Sequence, residues 1–323
     1  MMKGTYKRIS AVVLGIIALI MIMPTGARAA GNIDTEAHST LSVVYQFDAA
    51  TPINGAQFDL YRVADVDKYG DFTLTKDFAS YPVNLEGLDS EGWMDLAETL
   101  RGYVLRDSVS PFDTGKTDAR GKLIFPVSKV DMKPGLYLLV GYRRTIGDYT
   151  YTCLPSMVAI PAADKESNTW VYDVTVYPKY MREEKPPESD DKYISRKVYK
   201  VWADSKNEKE RPQEVVVQLL RDGKVYDTVT LSARNNWRYA WDNLSRKYEW
   251  TVVEKEVKNY KVSVSKEGIS YIITNTYDVP PPPPPPYIPQ TGMLWWPVPI
   301  LAGVGLFLFV MGYIRRRRDL NDD

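Results

Sequence analysis

Hydrophobic and polar residues alternate over short segments along most of the chain, and this alternation predicts β-strands. In the first half, the clearest alternating segments are residues 41–45, 57–63 and 136–140. In the second half, similar segments follow one another closely, at residues 198–202, 215–220, 228–231, 238–241, 249–254, 260–264 and 269–274. Glycine and aspartate separate many of these segments, as is typical of turns. The pattern predicts an all-β chain with two successive β-sandwich domains.

One helical pattern interrupts the strands of the first half. Its apolar residues recur at the spacing of a single helix face, and Asp89 or Ser90 stands where an N-terminal cap belongs. These apolar residues are Trp93, Leu96, Ala97, Leu100 and Val104. We interpret this stripe as the packing face of one short helix rather than as a binding groove.

Two changes in composition mark the predicted domain boundaries. The charged, proline-containing stretch 182–191 is predicted to link a first domain at residues 30–181 to a second domain at residues 192–278. Residues 279–287 contain seven consecutive prolines, Pro280 to Pro286. Such a run adopts an extended polyproline II helix of about 3.1 Å per residue, so we expect a stiff spacer after the second domain.

Both ends of the chain carry an apolar segment next to basic residues. Residues 1–29 combine a basic start, an apolar run of about 13 residues that is too short to span a membrane, and a small-residue site ending at Ala29. This combination is typical of a secretory signal peptide. Near the other end, residues 293–314 are apolar over a length that can span a membrane. The arginines that follow, Arg315 to Arg318, favour the cytoplasmic side for that end.

Composition and charge exclude several function classes. The 323-residue chain has 41 basic and 41 acidic residues and no basic block in its interior, so we expect no nucleic acid partner. Cys153 is the single cysteine and His38 the single histidine. They cannot supply an internal disulfide or a Cys/His metal site, and we interpret Cys153 as a small buried apolar residue. We therefore expect no metal, no cofactor and no enzyme active site.

The residues just before the C-terminal apolar segment carry a first family resemblance. They are Ile288, Pro289, Gln290, Thr291 and Gly292. Together with the apolar segment and the arginine cluster, they make residues 288–323 resemble the LPxTG-class cell-wall sorting signal of Gram-positive surface proteins, with isoleucine in place of leucine. The resemblance implies that a sortase cleaves between Thr291 and Gly292 and transfers Thr291 to an amine. It also implies a secreted chain that is held briefly in the membrane and then anchored to peptidoglycan.

The end of the first domain carries a second resemblance, in the sequence WVYDVTVYPK at residues 170–179. It resembles the WxxxVxVYPK motif of sortase-assembled pilins at every specified position, but Tyr180 follows where many pilins have asparagine. The resemblance implies that the Lys179 amine forms an isopeptide bond with the threonine of the next subunit. Without the motif, Lys179 would be interpreted as an edge-strand lysine that protects against unwanted strand pairing.

The second domain resembles the B-type repeat of collagen-binding surface proteins, the CnaB family, over nearly its whole length. The matching segments are 200–204, 211–212, 217–220, 222–223, 236–237, 243–244, 248–254 and 273–277. The resemblance implies an intramolecular isopeptide bond between Lys200 and Asn275 that is promoted by Glu254. Strand alternation places Lys200 on the same face as its apolar neighbours, while Lys197 lies on the other face and remains the alternative nucleophile.

The chemistry of that bond follows from the residue types. Burial lowers the pKa of a lysine and raises the pKa of a glutamate, so a buried Lys200 can attack as a neutral amine beside a protonated Glu254. A small β-domain without a disulfide or a metal has a modest core, so a covalent cross-link would add stability that the core does not supply. No lysine occurs between Gly31 and Asp67, so the first strand of the first domain cannot supply such an amine.

These observations predict an all-β chain of two tandem immunoglobulin-like domains of CnaB and pilin type, flanked by a signal peptide and a transmembrane sorting helix. The predicted function is a structural subunit of a covalent, sortase-assembled pilus, at the base that joins the shaft to the cell wall. A major shaft pilin is one alternative, and a wall-anchored adhesin that binds a host ligand through its first domain is another. The implied partners are sortase, other pilin subunits, peptidoglycan and, for an adhesin, a host-surface ligand.

Overall fold

The computed structural model describes residues 31–48, 51–164, 166–184, 193–204, 206–278 and 310–311. The predicted signal peptide 1–29, the spacer 279–287 and most of the sorting signal 288–323 lie outside these residues, as do residues 185–191 of the predicted linker. No helix within the described ranges is long and apolar enough to cross a membrane.

The first domain is built from strands around one helix. Its strands are β1 (Thr40–Val44), β2 (Gln57–Val66), β3 (Phe72–Leu74), β4 (Asp113–Lys116), β5 (Lys122–Phe125), β6 (Gly135–Gly141), β7 (Arg144–Ile146), β8 (Tyr149–Cys153), β9 (Ser156–Ile160), β10 (Ala162–Asp164), β11 (Thr169–Val171), β12 (Asp173–Val176) and β13 (Tyr180–Glu184). The helix, α1 (Ser90–Asp107), stands between β3 and β4 in the chain. β13 pairs with β8 and continues to Glu184, within the residues predicted as linker.

A five-stranded sheet forms the centre of the first domain. It runs in the order β3-β2-β6-β9, with β4 paired to β2. β2 and β6 are buried on both faces, because alternate residues enter two different cores. Phe58 and Leu60 face the core shared with the sheet β12-β1-β5, whereas Val63 and Leu138 face the core that contains α1. Burial on both faces explains why β6 is continuously apolar in sequence.

The second domain is a two-sheet sandwich of seven strands, one for each segment that the sequence predicts. They are β14 (Tyr193–Ala203), β15 (Glu214–Arg221), β16 (Lys224–Ser232), β17 (Arg238–Ser245), β18 (Trp250–Glu254), β19 (Tyr260–Glu267) and β20 (Ser270–Tyr277). One sheet has the order β17-β14-β20-β19 and the other the order β16-β15-β18. The first strand, β14, pairs in parallel with the last strand, β20. The predicted all-β fold of two sandwich domains is confirmed.

The helix α1 is capped by Asp89, one of the two predicted candidates, and it has the predicted buried stripe. The Asp89 side chain accepts a hydrogen bond from the backbone N–H of Gly92 at 2.8 Å, and the helix ends at Asp107, followed by the cap residue Ser108, which has a left-handed backbone with φ of 53°. The helix has 18 residues and is therefore longer than the short helix predicted. Its predicted apolar stripe is buried, and the helix contacts β6 and β9 of the first domain.

The opposite side of α1 is buried as well, against the second domain. Residues 98–99 and 101–103 are buried, and the helix contacts β18 and β19. A single apolar cluster therefore includes Leu138 of the first domain, Leu100 of the helix, and Val253 and Val264 of the second domain. The sequence pattern misses this second face because its residues are glutamate, threonine, arginine, glycine and tyrosine rather than aliphatic residues.

Polar contacts join the two domains at the same place. The backbone N–H of Val264 on β19 donates to the Thr99 hydroxyl at 2.8 Å, and the N–H of Val262 donates to the carbonyl of Pro82 at 2.8 Å. β19 is the last strand of its sheet, so these contacts satisfy donors on an edge that would otherwise be unpaired.

A buried charge cluster completes the interface. Arg101 on α1 pairs with Glu249 of the second domain, with Glu98 one helical turn earlier at 3.4 Å, and donates to the Thr251 hydroxyl at 3.3 Å. Only 3% of the Arg101 side chain is exposed. A buried arginine of this kind requires its carboxylate partners, because an unpaired buried charge is costly.

Replacing Arg101 is expected to destabilise the whole described body. Arg101→Met keeps most of the side-chain volume but leaves Glu98 and Glu249 without their cation, which costs about 3–5 kcal/mol in a buried pair. The free energy of unfolding from urea denaturation measures this loss. Arg106→Met is the matched control on the same helix, because Arg106 pairs with the more exposed Asp107, and we expect it to cost about 1 kcal/mol or less. Equal losses in the two variants would contradict a role for the Arg101 cluster in joining the domains.

Candidate functional site

Three polar side chains of the second domain meet inside its sandwich. Lys200 lies on β14 and Asn275 on β20, the two parallel central strands of one sheet. In their register, Lys200 pairs with Ile273, so Asn275 is two residues further along the neighbouring strand and faces the same side. Glu254 lies at the end of β18 in the facing sheet. The fold therefore brings together the three residues that the CnaB resemblance implies.

The cluster is almost completely shielded from solvent. The side chain of Lys200 is 0% exposed and that of Glu254 is 1% exposed, with 3.7 Å between Nζ of Lys200 and Oε1 of Glu254. The Lys200 amine donates hydrogen bonds to the backbone carbonyls of Val201 at 3.0 Å and Ile273 at 3.2 Å. It also lies 4.4 Å from the centre of the Trp202 ring, a favourable position for a cation.

Burial sets the protonation of this pair. Desolvation lowers the pKa of Lys200 to about 8, although the nearby Glu254 acts in the opposite direction. Desolvation raises the pKa of Glu254, although the nearby Lys200 acts in the opposite direction. Both shifts favour the uncharged forms, a neutral amine beside a protonated carboxyl group.

Asn275 is the most unusual member of the cluster. It is fully buried, and within the described residues neither its side-chain oxygen nor its side-chain nitrogen has a hydrogen-bond partner. Oε1 of Glu254 lies 3.7 Å from Nζ of Lys200, too far for a hydrogen bond. An unpaired buried polar atom costs about 1–3 kcal/mol, so the buried carboxamide of Asn275 is a feature of the fold that needs an explanation.

The alternative nucleophile, Lys197, occupies a different position. It is half-buried on β14 and pairs in register with Ser270 on β20, away from the residues beside Asn275. It lies three positions before Lys200, so its side chain points to the opposite face of the sheet. The geometry favours Lys200 as the amine of this site.

The pilin-like motif occupies the end of the first domain, and strand alternation explains its spacing. β12 pairs in parallel with β1, and Val174 and Val176 pack into or against the core below. Pro178 continues the inward series, so the side chains of Tyr177 and Lys179 point outward and are exposed. The Nζ of Lys179 lies 3.8 Å from Sδ of Met94 on α1. Lys179 is thus an accessible amine beside the helix.

Tyr180, where the motif departs from many pilins, has a structural role in this chain. Its hydroxyl donates to the carbonyl of Phe47 at 3.0 Å, and its ring packs edge-on against Tyr45 with the ring centres 5.8 Å apart. The backbone carbonyl of Lys179 accepts from the N–H of Leu154 at 2.8 Å. These contacts hold the backbone at Lys179 and at the residue that follows it.

Cys153 and His38 lie in unrelated surroundings. Cys153 is buried in the first-domain core, and burial raises the pKa of its thiol to about 12, so it is a poor nucleophile. His38 is exposed and pairs with Asp131 at 3.0 Å. Within the residues that the structure describes, no group of three or more metal-ligating side chains is arranged to hold an ion.

The structure adds residues that sequence reasoning did not assign to the site. The carbonyls of Val201 and Ile273 and the ring of Trp202 hold the Lys200 amine. Trp202 had a signal in the sequence, since it lies two residues after Lys200 and shares its face, but backbone carbonyls carry no sequence signal.

Two protein-family models match separate parts of the chain. Residues 24–180 match the Gram-positive pilin subunit D1, N-terminal domain, and residues 196–276 match the Cna protein B-type domain. The collagen adhesin of Staphylococcus aureus is 36% identical over an alignment of 84 residues that covers 24% of this chain. The chain spans only 7% of the length of that relative. The chain thus contains one region similar to a Gram-positive pilin domain and one similar to a Cna B-type domain, and these matches support a surface protein of the pilin or adhesin type.

Several solved structures of surface proteins and pilins are similar to this chain at low sequence identity. A single B repeat unit of the collagen-binding surface protein of Staphylococcus aureus is 18% identical, with 75% of this chain and 99% of that chain covered and a TM-score of 0.26. The shaft pilin SpaA of Lactobacillus rhamnosus GG is 14% identical, with 76% and 100% covered and a TM-score of 0.26. The full-length major pilin SpaD of Corynebacterium diphtheriae is 10% identical, with 78% and 100% covered and a TM-score of 0.27.

The lowered pKa of Lys200 predicts a pH dependence of stability in a chain that cannot cross-link. Asn275→Ala keeps the lysine and removes the carboxamide. Because the pKa of Lys200 is about 8 in the folded state and about 10.5 in the unfolded state, the unfolded chain binds more protons between these values. The contribution of Lys200 to stability therefore rises as pH increases through that window.

Urea denaturation of Asn275→Ala and of the double variant Asn275→Ala/Lys200→Met, between about pH 7 and pH 10, measures this effect. The difference in the free energy of unfolding between the two should shift in favour of the lysine-containing chain as pH rises. A difference that stays constant over the range would mean that Lys200 titrates in the folded state as it does in water.

Proposed function

We propose that this chain is a structural subunit of a covalent, sortase-assembled pilus on a Gram-positive cell, in the basal position. The observation that carries the proposal is the exposed amine of Lys179, held on a fixed backbone at the end of the first domain within a complete pilin-like motif. A sorting signal at residues 288–292 in the same chain supplies the second reactive group. A chain with both groups can be joined covalently on each side.

The proposed assembly uses each group once. Sortase cleaves after Thr291 and transfers its carbonyl to an amine of the cell wall, while Lys179 attacks the acyl-enzyme formed by the preceding pilin. Lys179 suits this role because its amine is accessible to an enzyme, whereas Lys200 is closed inside the sandwich. The match of residues 24–180 to a Gram-positive pilin domain supports this assignment.

The basal position is proposed from the organisation of the chain. A run of seven prolines at residues 280–286 separates the second domain from the sorting signal. In the polyproline II conformation, a spacer of this kind lifts the domains roughly 20–30 Å away from the point of attachment. This suits a subunit that is itself attached to the wall.

The second proposed reaction is an intramolecular isopeptide bond within the second domain. Nζ of neutral Lys200 attacks Cγ of the Asn275 side chain, the new C–N bond forms, and the original C–N bond of the carboxamide breaks. Glu254 donates its proton to the departing nitrogen and receives one from the lysine amine, so that one ammonia leaves and Glu254 ends as it began. The shifted pKa values of Lys200 and Glu254 support this protonation pattern, and fixed proximity supplies much of the rate.

The bond would stabilise the domain and carry tension. Closing the loop of roughly 75 residues between Lys200 and Asn275 contributes about 4.5 kcal/mol by the loop-entropy relation for cross-links. It also ties β14 directly to β20, which are the first and last strands of the domain. Tension that enters at one strand then leaves at the other without unzipping the sheet between them.

Intact mass tests the intramolecular bond. The mature chain should weigh one ammonia less than its sequence mass, and Lys200→Ala, Glu254→Ala and Asn275→Ala should each restore the full mass corrected for the substitution. Lys197→Ala is the matched control on the same strand and should still lose the ammonia. Loss of ammonia in Lys200→Ala but not in Lys197→Ala would transfer the nucleophile to Lys197.

A blot of boiled cell-wall extracts tests the pilus. In wild type, this protein should occur in covalent species of high molecular weight, and Lys179→Ala should lose them while remaining attached to the wall through Thr291. Lys122→Ala, which changes an exposed strand lysine of the same domain, should leave the pattern unchanged. A single monomer band in wild type would favour a wall-anchored adhesin instead. Immunogold labels along the whole fibre, rather than at its foot, would identify a shaft subunit.

A further inference from the structure

Glu254 lies on a strand that the first domain covers from outside. β18 is the last strand of its three-stranded sheet, yet all five of its residues are buried. Strand alternation directs Glu254 into the second sandwich, towards Lys200, and directs Thr251 and Val253 to the opposite side. On that opposite side lies α1, which belongs to the first domain.

Contacts from α1 follow β18 along its length. Arg101 pairs with Glu249 just before the strand and donates to Thr251 at 3.3 Å. The Tyr103 hydroxyl donates to the backbone carbonyl of Glu254 at 3.5 Å. The helix thus touches the strand at both ends.

Gly102 lies where α1 comes close to β18. A Cβ atom at this position would lie 2.7 Å from Cγ2 of Val253 and 3.5 Å from the backbone carbonyl oxygen of Val252. Ordinary carbon contacts are about 3.5–4.0 Å, so only glycine allows the helix to lie this close to the strand. The chain accepts the helix-weakening effect of an internal glycine, about 1 kcal/mol, at the point where α1 meets the strand that carries Glu254.

We propose that α1 of the first domain is part of the isopeptide site: by packing on β18 through Gly102, it holds Glu254 at the position from which it promotes the reaction of Lys200 with Asn275. This inference rests on the intramolecular bond proposed above and extends it across the domain boundary. Gly102, Arg101 and Tyr103 are positioning residues, because they act on Glu254 through the backbone of β18. The first domain must then be folded and docked before the second domain can cross-link efficiently.

Displacement of β18 is expected to slow the reaction strongly. A Cβ at Gly102 forces the helix and strand apart by about 1 Å to restore a normal contact, and misplacement of a reacting group by about 1 Å can cost up to about 100-fold in rate. We therefore expect Gly102→Ala to slow bond formation by between about 10-fold and 100-fold. Alanine favours the helix itself, so helix weakening cannot explain such a loss.

The matched control is Gly92→Ala, the same change in the first turn of α1. The three atoms nearest to its added Cβ belong to Leu88 and Asp89, which are residues of the first domain. The rescue variant is Gly102→Ala/Val253→Ala, which removes the valine methyl group that the new Cβ would strike. The single variant Val253→Ala completes the cycle.

The experiment follows the full chain as it is made. Each variant is synthesised in a cell-free translation system, samples are denatured at successive times, and intact mass gives the fraction that has lost ammonia, with Lys200→Ala as the zero. Resistance to trypsin in the same samples reports folding separately from cross-linking. Slow ammonia loss in folded Gly102→Ala, with normal rates in Gly92→Ala and recovery in the double variant, is the expected result.

Other outcomes overturn the inference in distinguishable ways. A normal rate in Gly102→Ala would show that β18 does not need the helix at this contact. If the double variant lost ammonia as slowly as Gly102→Ala, the slow reaction would not come from the Gly102–Val253 contact. That result would also overturn the inference. If wild type itself never loses ammonia, the intramolecular bond fails, and the positioning role fails with it.

Discussion

The burial of Lys200 opposite Glu254 is the constraint on which the second domain depends. Taking an amine and a carboxyl group out of water costs several kcal/mol per ion when both are charged, and a pair 3.7 Å apart recovers only part of that cost. The cost falls when the proton is shared so that neither group carries a full charge, which is the direction of both pKa shifts. Conversion to an amide removes the amine charge permanently. Burial of the Lys200–Glu254 pair therefore costs free energy before the proposed reaction, whereas after the reaction no lysine charge would remain to be buried.

Such an arrangement needs a rigid and dry surrounding, which a small β-domain supplies poorly on its own. The helix of the first domain answers this need by covering β18 and the edge of β19, and by extending the apolar cluster from one domain into the other. The boundary predicted from composition divides the chain between β13 and β14. The packing does not follow that boundary, because α1 belongs to the first domain in the sequence but packs against strands of both domains.

Sequence patterns predicted the parts of this fold that rest on local alternation. All seven strands of the second domain, the Asp89 cap and the buried stripe of α1 follow from periodicity and capping chemistry. Sequence patterns did not predict the second buried face of α1. In a sequence, Arg101 is typical of an exposed helix position and Gly102 of a weak point in a helix, and nothing there shows that both are buried against the second domain. The roles of Lys200, Glu254 and Asn275 were implied by family resemblance, whereas their burial and the unpaired carboxamide of Asn275 could be seen only in the fold.

The two lysines of the proposed mechanism differ only in their surroundings. Lys200 is enclosed and its amine is surrounded by two carbonyls, a tryptophan ring and a carboxyl group, so it can react only with a group that the fold itself presents. Lys179 comes directly after the buried Pro178 and its own side chain faces outward, so it can react only with a group that an enzyme brings to it. In the proposed pilus, tension passes from Lys179 through β13 and β14, across the Lys200–Asn275 bond, and out towards Thr291. The strands of the first domain before Lys179 lie outside that proposed path.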